Sequence, residues 1–194
     1  KRKKAQFERP PVSEVYTQIV KDLQASIECF QESPQNKTFY RASEEAALLL
    51  LSRVYLYMQD WKSARVMAEN FLSKKSDLLD LKTIEEGASS ALMTEDNPEI
   101  IFSQGSLSLQ NSFSGEGGDF CVSRDLLDLY DEGDYRYSIY FKRSVRSDSV
   151  GLGRKYKMGT HRSLVSDFYM LRTAEGYLNM AEACAMLGDV FTAS

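Results

Sequence analysis

Histidine is the side chain most often recruited for nucleophilic or acid–base chemistry near neutral pH. This 194-residue chain has one, His161, in a stretch rich in glycine and arginine with no sequence partner for a catalytic pair. Its three cysteines, Cys29, Cys121 and Cys184, are widely spaced and form neither a CxxC ligand pair nor an even-numbered disulfide framework. Asp128, Asp131, Glu132 and Asp134 are the one tight acidic cluster, and they lack the alternating oxygen spacing of a calcium loop. Gly115–Gly118 is not followed by Lys-Ser/Thr, and Gly151-Leu-Gly153 lacks a third glycine, so neither reads as a phosphate loop. The sequence therefore predicts no catalytic residues, no metal and no cofactor.

Binding chemistry is better represented. Stacking sites combine exposed aromatic rings with polar or cationic neighbours. Aromatic residues on periodic helices are claimed by packing, which leaves those in glycine-rich stretches: Phe113, Phe120 and Tyr156, with Arg154 as a neighbouring donor. These four are the candidate ligand-binding residues. Residues 142–162 are locally basic, with Phe141 and Tyr156 interleaved, and Lys1–Lys4 make a second basic run. Against a net charge of −4 and a pI near 5.2, neither makes a nucleic-acid footprint.

The elements that would position such a site are helices. Ala47–Ala64 and Gly176–Ala193 align at a constant offset of 129, placing Leu51 on Met180, Val54 on Ala183, Asp60 on Asp189 and Ala64 on Ala193. Each copy reads as an apolar-striped helix, a polar turn and the start of a second helix. A helix pair of this kind buries its apolar face only by stacking on neighbours. Tyr16, Val20, Leu23, Ile27 and Phe30 recur at spacings of 4, 3, 4 and 3, predicting a further amphipathic helix. The expected architecture is all-α, a tetratricopeptide-like paired-helix scaffold with helices at about 13–32, 43–58, 61–73 and 167–187. The whole of 1–194 reads as one domain, with helix pairs at about 13–73 and 167–194 and a loop-rich excursion at about 74–166.

Within that excursion Ile100–Phe102 reads as a short extended piece, Arg124–Tyr130 as a helix, and Tyr135–Val145 as helix or strand. Ser166 or Asp167 is expected to cap the last helix, Trp61 to pack between paired helices, and Gly176 to mark a close helix–helix approach. The longest uninterrupted apolar run, Ala46–Leu51, is too short to span a membrane.

The last helix carries a family resemblance. Asp167-Phe-Tyr-Met-Leu-Arg172-Thr-Ala174-Glu175-Gly-Tyr-Leu178-Asn-Met-Ala181-Glu182-Ala183, followed by Gly188-Asp189, resembles the signature helix of the SusD/RagB family. Thr173 stands where that family usually has an aromatic residue. Segments running through Arg53-Val54-Tyr55, Asn97-Pro-Glu99-Ile100-Ile101-Phe102 and Asp131 through Arg136 resemble the family in its order. Family members run to several hundred residues, so the chain resembles their middle, without the lipid-bearing N-terminal cysteine. The resemblance implies a non-catalytic lipoprotein on the cell surface, held to the outer membrane by a lipid anchor not present in this chain. It would capture glycans for a SusC-like TonB-dependent transporter. Peptide capture by a RagB-like protein, and an intracellular scaffold binding protein partners, are the alternatives.

Overall fold

The computed structural model describes residues 9–34, 38–84, 92, 96–104, 120–143, 150–151 and 169–189. The fold is mostly helical, and the chain divides into two compact units. The first comprises Lys1–Asn36, Ser43–Lys74 and Glu175–Ser194; the second comprises Lys37–Ala42 and Lys75–Ala174.

In the first unit, α1 (Val12–Glu32) and α3 (Trp61–Lys74) each pack on α2 (Glu44–Tyr57). Helix α2 starts where Ser43 accepts from the Ala46 amide at 3.2 Å, with Glu44 and Glu45 in its positive first turn. Its Leu48, Leu49, Leu51 and Val54 are buried, and Ala64, Ala68 and Phe71 of α3 close the same core. Small residues at 64 and 68 keep that flank low. Trp61, at the head of α3, is half-buried. The apolar stripe of α1 is only half-covered, and no residue of that helix is fully buried. Between α1 and α3, over α2, lies a cleft of about 550 Å³ with Ile27, Leu48, Leu51 and Met67 among its lining.

The last helix, α6 (Thr173–Met186), reproduces the first repeat in backbone detail. Gln59 and Gly188, equivalent at the offset of 129, both take positive φ, 60° and 79°. The Asp60 amide then donates to the Tyr55 carbonyl at 2.9 Å, and the Asp189 amide to the Cys184 carbonyl at the same distance. Both helices thus end in one left-handed cap that returns two orphan carbonyls to hydrogen bonding.

Polar contacts fix the register of α6 on the first repeat. Arg53 meets Glu175 with both ends of its guanidinium fork, at 2.5 and 2.6 Å. Hydrogen bonding to Glu175 holds the Arg53 guanidinium above its ordinary pKa. The buried Asn179 amide donates to Ser52 Oγ at 2.8 Å, and that hydroxyl donates to the Leu49 carbonyl at 2.7 Å. Arg65 reaches Asp189 at 3.0 Å. A Cβ on Gly176 would sit 2.4 Å from the Phe71 ring, so this glycine is the expected close approach.

In the second unit, β1 (Ile100–Gln104) pairs antiparallel with β4 (Tyr169–Arg172), with an irregularity between Ile100 and Phe102. The expected helix from 167 therefore begins only at Thr173. Residues 169–172 extend because β1 offers them a ladder, a long-range partner that local periodicity does not register. Ser166 and Asp167, the expected cap, lie outside the described residues. Short helices α4 (Arg124–Leu127) and α5 (Tyr135–Tyr140) follow β1 in sequence, and β2 (Lys142–Arg143) pairs with β3 (Val150–Gly151). The ambiguous 135–145 stretch thus opens as a helix and continues as a strand.

Candidate functional site

The described aromatic surface of the second unit is built on the two short helices α4 and α5. Ser123 caps α4 by accepting from the Leu126 amide at 3.2 Å. The chain reverses through Asp131–Asp134, where Gly133 takes φ 92°, a conformation that glycine adopts without strain. Asp134 caps α5, accepting from the Arg136 amide at 2.9 Å.

This turn brings Tyr130, Tyr137 and Phe141 into a mutual edge-to-face cluster, with ring centres 5.2 to 6.4 Å apart. Phe141 is buried, as is Ile139, and together they anchor the cluster. Tyr137 is 42% exposed and Tyr135 is 49% exposed. Edge-to-face pairing holds the rings in fixed orientations, so an exposed face costs little further ordering when it is used. The Arg136 guanidinium sits 5.2 Å from the Tyr130 ring centre, and Lys82 Nζ sits 6.0 Å from that of Tyr135.

Electrostatics on this surface are already committed. Arg136 holds Asp134 through contacts of 2.6 to 3.1 Å. That hydrogen bonding keeps the Asp134 carboxyl below its ordinary pKa and the Arg136 guanidinium above its own. Burial raises the Tyr140 phenol, with Arg172 opposing the shift and Glu99 adding to it.

Phe120, one of the four candidate residues, is 58% exposed just ahead of α4. Phe113, Arg154 and Tyr156 lie outside the described residues. Tyr135 and Tyr137 join the candidates here, because reading the helical aromatics as packing residues leaves them out. Their spacing carries a signal all the same: two residues apart on a six-residue helix, they point about 200° apart and do not share one buried face.

Motif residues of the resemblance hold the framework. Asn97 is buried; its amide donates to the Leu92 carbonyl at 2.8 Å, and its oxygen accepts from the Glu99 amide at 2.9 Å. Glu99 accepts from the Leu79 amide at 3.0 Å through its side chain and from the Thr173 amide at 2.9 Å through its carbonyl. Among the described residues, no group of three or more His, Cys, Asp or Glu side chains is placed to hold a metal. Nor is any described helix long and apolar enough to cross a membrane.

Residues 1–56 match a family model, SusD-like, described as starch-binding and associating with the outer membrane. No curated protein matches the chain. Among solved structures, a SusD-like carbohydrate-binding protein from Bacteroides vulgatus ATCC 8482 is 25% identical, with a TM-score of 0.73 over 93% of this chain and 41% of its own. A second protein from that organism is 28% identical, with a TM-score of 0.76 over 97% of this chain and 44% of its own. A SusD superfamily protein from Bacteroides thetaiotaomicron VPI-5482, at 22% identity, shares the fold with a TM-score of 0.72 over 95% of this chain and 46% of its own. The chain spans less than half the length of these relatives. Residues 1–56 are thus similar to the SusD-like family model, and SusD-like proteins of known structure share this chain's fold over more than nine-tenths of its length.

Proposed function

We propose that the protein is a non-catalytic binder that captures glycans at the outer-membrane surface. The observation that carries this reading is Tyr137, exposed and held edge-to-face by Tyr130 and Phe141, with Tyr135 and Phe120 exposed in the same unit. Sugar rings lay their apolar C–H faces on aromatic rings, while neighbouring polar groups satisfy the hydroxyls. A binder needs little else. The carbohydrate-binding description of a solved relative favours glycans over peptides as the ligand. Delivery to a SusC-like TonB-dependent transporter, and anchoring through a lipidated N-terminal segment, complete the proposal on the strength of the family's outer-membrane association.

Calorimetry of the full-length protein against a glycan panel and a peptide panel tests it. Binding to at least one oligosaccharide series is expected, weakened at least about tenfold in a Tyr135→Ala/Tyr137→Ala variant that retains its helical spectrum. Binding confined to peptides would overturn glycan capture, and co-purification with a TonB-dependent transporter would test delivery separately.

A further inference from the structure

We propose that the aromatic face of residues 124–141 selects uncharged glycans and turns away polyanionic ones, such as sulfated or uronate-rich chains. This rests on the glycan-capture reading. The segment from Arg124 to Tyr137 carries five carboxylates, at positions 125, 128, 131, 132 and 134, against two guanidiniums. Asp128, Asp131 and Glu132 are exposed. Each lies within two residues of Tyr130 in sequence, so their Cα atoms are no more than about 8 Å from that of Tyr130. That separation is about one Debye length at physiological ionic strength, where salt weakens their field at Tyr130 without removing it, and well inside the Debye length at low salt.

Two cations lie over these rings: Lys82, 6.0 Å from the Tyr135 centre, is one charge against the five carboxylates, and Arg136 is already engaged. Arg136 lies over the Tyr130 ring, yet its Nε and Nη2 are both bound to Asp134. A sulfate or carboxylate approaching these rings would have to compete with Asp134 for the Arg136 Nε and Nη2, against the field of the neighbouring carboxylates. An uncharged sugar meets neither obstacle. The basic stretch at 142–162 supplies the contrary outcome: if it reaches the ligand, polyanions bind well.

The test uses the full chain, calorimetry and a panel in which each neutral polysaccharide is paired with its sulfated or carboxylated derivative. In low salt, the neutral member of a bound pair should bind about tenfold or more tightly than its derivative. Raising salt from 20 to about 300 mM should narrow that ratio several-fold. An Asp128→Asn/Asp131→Asn/Glu132→Gln variant should narrow it similarly without added salt. A derivative that binds as tightly as its parent overturns the selectivity, as does a ratio unmoved by both salt and the variant. A panel in which nothing binds overturns glycan capture itself, and the selectivity with it.

Discussion

Replacing Gly176 with alanine sets two effects of opposite sign against each other. In an exposed helix interior the change would stabilise by about 0.5–1 kcal/mol, because glycine loses more backbone entropy on folding. Here the added Cβ would lie 2.4 and 2.5 Å from two carbons of the Phe71 ring and 3.3 Å from Leu72 Cδ2. Carbon atoms rest about 3.5–4.0 Å apart, so the ring must retreat by about 1 Å. Phe71 has no exposed surface, and interiors packed at crystal density accommodate such movement poorly. Overpacking of this kind costs about 1–3 kcal/mol. The net expectation for Gly176→Ala is destabilisation by about 0.5–2 kcal/mol, read as a melting temperature lower by a few degrees. A double-mutant cycle assigns the cause: with Phe71→Leu already present, the alanine should lose most of its penalty, a coupling of about 1 kcal/mol or more. A Gly176→Ala protein melting at or above the parent would refute the steric argument outright.

Further outcomes follow from other contacts. Gln59→Gly should stabilise by up to about 1 kcal/mol in denaturant titration, since a left-handed conformation strains a residue bearing a Cβ and its repeat equivalent is already Gly188. Ser52→Ala leaves the buried Asn179 amide without its acceptor and should cost about 1–3 kcal/mol, with Ser52→Ala/Asn179→Leu costing less than the single change. The Asp134 carboxyl, followed by NMR, should titrate below its ordinary range and return to it in Arg136→Met. Its depressed pKa favours the folded state above the unfolded-state pKa, a contribution lost as pH falls through the folded-state value.

The scaffold was legible because its signals are local. The offset of 129 pairs Gln59 with Gly188, and both end their helices in the same left-handed cap. Gly176 in mid-helix is a departure from propensity, and a close contact accounts for it. The strand at 169–172 was not legible, since its partner at 100–104 lies some seventy residues away and imposes a conformation that the segment's own periodicity does not encode. Tyr135 and Tyr137 were hidden for a related reason. Six residues are too few to establish a period, and how far Tyr137 is covered depends on its contacts with Tyr130 and Phe141.

The interlock of Arg53 with Glu175 and Ser52 with Asn179 joins residues 122 and 127 positions apart. Lys75–Ala174 is therefore a long closed loop, held at its ends by helices that belong to one another. Loop-closure entropy grows only logarithmically with length, so doubling that loop would add about 0.6 kcal/mol. An insertion or exchange within it leaves the equilibrium stability of the helical unit nearly untouched. The larger effect is on rate, because contacts of such wide separation form late and slow the folding of the whole. A chain arranged this way can rewrite residues 75–174 many times over while the helices at their ends stay the same.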